Sequence, residues 1–163
     1  MPGTWSHLAG RLWEGMRLTP LSPPELLWVE SRLTGPEWTA FREQSMADQR
    51  HGYSAARAAE AALGGHPEAV RAALLHDIGK RHARLGPAGR VWASVAIKMR
   101  LPLWKSARAY RDHGPIGSRE LSGWGAESLV VEFARAHHGT RPSGFDPAVW
   151  QALCESDKPH ERG

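Results

Sequence analysis

The sequence predicts an all-α protein, a bundle of about seven helices. Three observations carry that prediction. Apolar residues recur at helical spacing along most of the chain, no stretch alternates apolar and polar residues as a half-buried strand does, and valine and isoleucine are scarce. Glycine and proline, 17 and 12 of the 163 residues, fall between the periodic stretches, where turns belong. The length suits one domain. Residues 1–24, rich in Gly and Pro, read as a peripheral segment with Trp5 and Trp13 as docking anchors, and residues 25–163 as a single helical domain.

The elements follow in order. A first helix starts at Ser22-Pro23-Pro24, because proline suits a first turn. It carries Leu26, Leu27, Val29 and Leu33 and ends before Gly35. Pro36 opens a short helix bearing Trp38 and Phe41. Asp48 is the expected N-cap of a long helix to Leu63, whose small face is Ala55, Ala58, Ala59 and Ala62. Gly64 and Gly65 suit a C-cap. Pro67 and Glu68 start the next helix, with Val70, Ala73, Leu74 and Ile78 on its apolar side, and Gly79 closes it. Further helices are expected over residues 91–100, 116–121, 126–138 and 147–155. Trp28, Trp38, Trp124 and Trp150 fall on apolar faces and are assigned to the core.

Composition narrows the chemistry. Charged residues are 23% and hydrophobic residues 41%, ordinary values that exclude a disordered or collagen-like chain. Cys154 is the single cysteine, so neither a disulfide framework nor a cysteine zinc cluster is available. With nine histidines present, a metal site must be built from His, Asp and Glu. The N-terminus lacks an apolar run after a basic region, and the most apolar window, 91–103, is interrupted by Lys98, Arg100 and Pro102. That window is shorter than the roughly 20 apolar residues of a membrane span, so a cytoplasmic protein is expected. The net charge of +4 suits phosphate-bearing small molecules as well as nucleic acid. Residues 84–111 interleave Arg90, Lys98, Arg100, Lys105, Arg108 and Arg111 with Trp92, Trp104 and Tyr110. The expectation is an amphipathic helix solvated on its basic side with its tryptophans packed inward, or else a wall or lid of the substrate pocket. Nucleic acid is not expected as a partner.

The sharpest feature is Leu74-Leu75-His76-Asp77-Ile78-Gly79-Lys80, an apolar helix that ends in two ligand-type residues. Adjacent helical residues point about 100° apart, so His76 and Asp77 cannot both follow the core stripe. His51 lies near the start of the preceding helix. If the two helices form an antiparallel hairpin through Gly64-Gly65, their similar lengths bring His51 to His76 and Asp77. Downstream come His113 in His113-Gly114-Pro115-Ile116-Gly117, then His137-His138-Gly139, then Asp157. Together they supply six N/O ligands, with His138 as an alternative to His137. Six suffice for two metals with open positions, and imidazole plus carboxylate suits Fe, Mn, Zn, Co or Ni.

His51, His76-Asp77 and Asp157 resemble the H…HD…D signature of the HD superfamily of metal-dependent phosphohydrolases. The added His113 and His137 are similar to its six-ligand binuclear members, such as the bacterial HD-type symmetric dinucleoside tetraphosphate hydrolases. The resemblance covers roughly residues 41–159, though the basic segment 84–111 has no counterpart in that pattern. It implies that His51, His76 and Asp157 ligate one metal, that His113 and His137 complete a second, and that Asp77 bridges both. It implies two divalent transition metals, Fe or Mn foremost, and a metal-bridging hydroxide that attacks phosphorus. Asp77 and Lys80 would be the catalytic pair. Lys80 would reach a substrate phosphate, with Arg50 as a second candidate, although Lys80 also suits the role of complementing a helix C-terminus. Asp112 reads as a solvated neighbour of His113, and His7, His66, His82 and His160 as surface residues. The same ligand set resembles HD-type di-iron oxygenases, and a non-catalytic HD module that binds a nucleotide or partner is the third possibility.

Overall fold

The computed structural model describes residues 19–158, and all its regular elements are helical. Among these residues there are nine α-helices and one 3₁₀ helix, and no strand. The α-helices are α1 (Pro23–Glu30), α2 (Gly35–Glu43), α3 (Met46–Ala62), α4 (Pro67–Leu75), α5 (Pro87–Lys98), α6 (Lys105–Arg111), α7 (His113–Gly123), α8 (Ser128–Ala136) and α9 (Pro147–Ser156). The 3₁₀ helix, Ile78–Ala83, lies between α4 and α5. Trp5, Trp13, His7 and His160 lie outside the described residues. Of the segment read as peripheral, Leu21 is buried, and the Thr19 and Pro20 carbonyls accept bonds from Arg50.

The helix starts follow capping chemistry. Ser22 with Glu25, and Thr34 with Glu37, form capping boxes, each followed by a proline in the first turn. Asp48 does not cap α3. Ser45 does, three residues earlier, its Oγ accepting from the Asp48 N–H at 3.2 Å. A serine is as good a cap as an aspartate, and the earlier site leaves the Asp48 carboxylate to bind Arg90 at 2.6 and 2.7 Å. The buried face of α3 is Gly52, Ala55, Ala56 and Ala59, whereas Ala58 is half-buried and Ala62 exposed. At Gly52 a Cβ would stand 3.0 Å from the Leu74 carbonyl, which shows how closely α3 lies on α4.

α4 is the central element. Ala69, Val70, Ala72, Ala73, Leu74 and Leu75 are all buried, because α3, α8 and α9 pack around it. It ends at Leu75 rather than at Gly79. His76 is its C-cap, Asp77 leaves helical geometry with φ −100° and ψ 9°, and the chain tightens into the 3₁₀ helix. Gly79 serves a close crossing instead. A Cβ there would stand 2.0 Å from the His113 carbonyl oxygen and 2.8 Å from the Gly117 nitrogen, so the 3₁₀ helix and α7 touch backbone to backbone. Arg81 fastens the same junction, with both terminal nitrogens 2.8 Å from the Glu120 carboxylate.

α6 is an element the sequence did not announce, and α5 begins ahead of its expected start. Trp150 is buried edge-on against Phe133, with ring centroids 5.3 Å apart. Trp28, Trp38 and Trp124 pack against the margin of the core and are only partly buried. Trp92 and Trp104 do not pack inward. Trp92 is 68% exposed, because α5 turns only Ala93 and Ala96 to the protein, and Trp104, the N-cap of α6, is 44% exposed. None of the described helices is long and apolar enough to cross a membrane.

One ion pair sits under this architecture. Glu37 is fully buried, and Arg71 of α4 grips it at 2.7 and 3.0 Å while a further nitrogen of the same guanidinium reaches Glu127 at 2.7 Å. Removing one partner of a buried pair leaves an uncompensated charge, at about 3–5 kcal/mol. Arg71→Ala is therefore expected to destabilise the fold by about that amount in urea unfolding, and Arg71→Ala combined with Glu37→Gln to recover much of the loss.

Candidate metal centre

The α3–α4 hairpin brings its open end together as the sequence geometry requires. The His51 and His76 rings are 5.2 Å apart, centroid to centroid. Asp157, the C-cap of α9, closes the group, its Oδ1 standing 2.8 Å from His51 Nε2 and 2.9 Å from His76 Nε2. From the other side come His113, at the start of α7, and His137, the C-cap of α8. Their Nε2 atoms stand 3.2 and 3.5 Å from Asp77 Oδ1. Asp77 Oδ2 faces His76 at 3.4 Å and His51 at 3.9 Å, and bonds Lys80 Nζ. All six sequence-predicted ligands thus gather in one cluster, four histidines facing the buried Asp77 carboxylate and Asp157 joining through His51 and His76.

The histidines share a device. His76 Nδ1 lies 2.9 Å from the Ala73 carbonyl and His113 Nδ1 2.7 Å from the Tyr110 carbonyl. His137 Nδ1 lies 3.2 and 3.1 Å from the Phe133 and Ala134 carbonyls. Each carbonyl belongs to the last turn of a helix, where oxygens are left short of intrahelical partners, and that of Phe133 also accepts the His137 N–H at 2.9 Å. A carbonyl only accepts, so each Nδ1 carries the proton, and Nε2 is the nitrogen left to offer a lone pair. These three Nε2 atoms and Asp77 Oδ1 are buried and have no hydrogen bond of acceptable geometry. Buried polar atoms of a folded protein are ordinarily satisfied. Four orphans gathered in one buried cluster fit bound cations among them.

The ligand atoms form three overlapping groups, within each of which they lie within 4.8 Å of one another: Asp77, His113, His137 and His138; His51, His76 and Asp77; and His76, His137 and Asp157. His138, which the sequence held as an alternative to His137, thus joins it. Its ring centroid is 3.9 Å from that of His137, and burial, with His137 beside it, pushes its pKa down to about 4. The adjacent pair at a helix end was the signal for both. Helix C-termini, the negative ends of helix dipoles, converge here from α4, α6, α8 and α9, which suits a cation.

Electrostatics agree. Burial disfavours the Asp77 charge, but His76 foremost, with His113 and His137 beside it, holds the carboxyl well below the usual range. Asp157 is likewise held ionised against burial by His51 and His76. Lys80 is mostly buried, yet Asp77 keeps it charged. Arg50 is placed elsewhere. Its guanidinium binds Glu25 and the Thr19 and Pro20 carbonyls, and it lowers the Glu25 pKa to about 2. Asp112 pairs with Arg111, and His82 lies at the surface beside Glu120. His66 caps α4 by accepting from the Ala69 N–H. A cleft of about 280 Å³, lined by Arg111, Arg135, Thr140 and the histidines at 113, 137 and 138, adjoins the centre. A larger one, about 510 Å³, lies at the closed end of the hairpin beside Gly65 and Pro67 and holds none of the cluster.

Fold and site define an all-helical protein with a His/Asp cluster able to hold metal, consistent with an HD-like centre. Comparison of the chain with protein-family models, curated proteins and solved structures finds no match in any of the three.

Metal uptake carries a proton signature. Burial opposes charge on His76, but Asp77 and Asp157 outweigh it and push its pKa up to about 10. His137 is shifted the other way, by burial, and has no proton to lose at neutral pH. A metal must therefore displace the His76 proton, and apparent affinity rises with pH until that pKa is passed. One displaced proton gives about tenfold per pH unit. Competition against a chromophoric chelator at two pH values below 10 is expected to show this slope; a flat profile would refute the displacement.

Proposed function

We propose that this protein is a metal-dependent phosphohydrolase of the HD type, cleaving a phosphate ester or anhydride of a nucleotide or a related small molecule. The observation that carries the reading is the division of Asp77, one oxygen facing His113 and His137 and the other facing His51, His76 and Lys80. In this reading two divalent transition metals bind, Fe or Mn foremost, with Co, Ni or Zn as substitutes. His51, His76 and Asp157 would hold one and His113 and His137 the other, with Asp77 available to both. Two such ions would supply an activated water at neutral pH and offset the charge that gathers on the phosphate oxygens.

The chain's own residues supply the rest. The carbonyl-bound Nδ1 atoms hold three imidazoles in one tautomer, so ligand directions are fixed before substrate arrives. Lys80 keeps its positive charge beside Asp77 and retains some exposure, which suits contact with a phosphate oxygen as a point charge. Arg50 is committed to Glu25, so the phosphate role falls to Lys80. The cleft beside His113 and His138 gives a phosphate-bearing group an approach, with Arg111 and Arg135 at its walls.

Protein purified with Mn²⁺ or Fe²⁺ is expected to hold two ions per chain and to release phosphate from at least one class among nucleoside mono-, di- and dinucleoside polyphosphates. Asp77→Ala and His76→Ala are each expected to lose metal and to lower turnover by about 10³-fold or more, with helical circular dichroism retained. Lys80→Ala is expected to keep its metal and lose turnover. Metal-loaded protein that turns over none of these substrates would overturn the proposal, and substrate-dependent oxygen uptake would assign the di-iron oxygenase instead.

A further inference from the structure

α5 is an unusual helix for a packed protein. Over Pro87–Lys98 its only buried residues are Ala93 and Ala96, although helices of this length draw most of their stability from burying an apolar face. Its large apolar residues turn outward instead. Val91, Trp92, Val95 and Met99 are 40%, 68%, 38% and 65% exposed, and they share an arc of about 100° on the helix. Leu101 and Trp104, in the connection to α6, are 49% and 44% exposed. These are six of the eight large hydrophobic residues exposed among the described residues.

The same stretch gathers the positive charge of the molecule. Residues 84–111 hold seven Lys and Arg and no Asp or Glu, whereas the rest of the chain holds 14 basic and 17 acidic side chains. Arg90 is matched by Asp48 and Arg111 by Asp112. Arg84, Lys98, Arg100, Lys105 and Arg108 are exposed and have no carboxylate partner among the described residues. A net +4 chain is therefore a basic, apolar face on an otherwise slightly acidic body.

We propose that the α5–α6 face docks on an anionic lipid bilayer. Trp92, Met99, Leu101 and Trp104 enter the boundary between headgroups and acyl chains, and Lys98, Arg100, Lys105 and Arg108 meet the lipid phosphates. Charge selects this occupant. A second copy of the chain would bring the same basic segment against itself, and residues 1–18 carry Arg11 and Arg17 against Glu14 alone. Single-stranded nucleic acid matches the charge but is bound through aromatic platforms, and four of the six exposed residues are the aliphatic Val91, Val95, Met99 and Leu101. Tryptophan on an apolar helix face rimmed by Lys and Arg is the composition of a helix lying in the membrane interface. With no spanning helix among the described residues, the attachment is peripheral. α6 also carries Tyr110, whose carbonyl fixes His113, so docking sets the metal centre close to the lipid surface.

The experiment is flotation of the full chain with vesicles of phosphatidylcholine, with and without phosphatidylglycerol, at low and at about 0.5 M salt. Binding to the anionic vesicles is expected to exceed binding to neutral ones by about tenfold or more and to be released by salt. Lys98→Glu with Lys105→Glu, and separately Trp92→Ser with Met99→Ser, are expected to weaken binding by about tenfold or more, with melting temperature and metal content unchanged. Quenching of wild-type tryptophan fluorescence by brominated acyl chains is a readout that needs no variant, and it is expected to occur. No vesicle binding, equal binding to neutral vesicles, or variants that bind as wild type would overturn the proposal. So would binding of a single-stranded oligonucleotide without vesicle binding, or a concentration-dependent dimer that Trp92→Ser disrupts.

Discussion

The rest of this structure depends on keeping one carboxylate ionised in the interior. Asp77 is 3% exposed. Burying such a charge without partners is prohibitive, and its two oxygens are met from opposite sides by four imidazoles and an ammonium. Each of those groups arrives from a different place in the chain: the second turn of α3, the end of α4, the 3₁₀ helix, the start of α7 and the end of α8. The packing of α3 and α8 around α4, and of α7 on the 3₁₀ helix, can be understood as the arrangement that lets these residues reach Asp77 at once. A single misplaced helix would leave a buried charge short of a partner.

Helix ends do most of the positioning. A helix interior satisfies its own backbone, whereas the last turn has carbonyls to spare. Here the spare carbonyls of α4, α6 and α8 bind the Nδ1 side of an imidazole, which settles both the tautomer and the direction of the opposite nitrogen. Loops alone would not hold three rings so firmly. The same ends bring their negative poles inward, while the basic side chains gather on α5 and α6. The molecule thus separates an interior centre of paired opposite charges from a cationic outer face.

The helical class and the cluster were legible because each left a local mark. Proline announces the starts of α1, α2, α4 and α9, and His76-Asp77 breaks an apolar helix conspicuously. The meeting of His51 with that pair follows from similar chain distances to the turn, His51 lying 13 residues before Gly64 and His76 and Asp77 lying 11 and 12 residues after Gly65. What stayed hidden was decided by contacts distant in sequence. Nothing near Asp48 says that Arg90 will claim its carboxylate, nor near Arg50 that Glu25 will claim its guanidinium. The start of α3 is ambiguous in sequence because two good caps, Ser45 and Asp48, stand three residues apart, and the structure uses Ser45. Trp92 and Trp104 were expected inside because tryptophan usually buries itself, and only tertiary packing reveals that the buried side of α5 is made of alanine. His137 and His138 could not be ranked from sequence because both adjoin the helix end, and in the structure both reach the cluster.

The crossing of the 3₁₀ helix and α7 at Gly79 and Gly117 has a mechanical meaning. With no side chain between the two backbones there is nothing compressible at the junction, and Arg81 with Glu120 clamps it from the flank. Lys80 rides on one side of this joint and His113 on the other. The two therefore move as one rigid body. Whatever displaces the lysine displaces the histidine with it, so the cationic arm of the site cannot be repositioned, by evolution or by a bound molecule, without also retuning the cluster beside it.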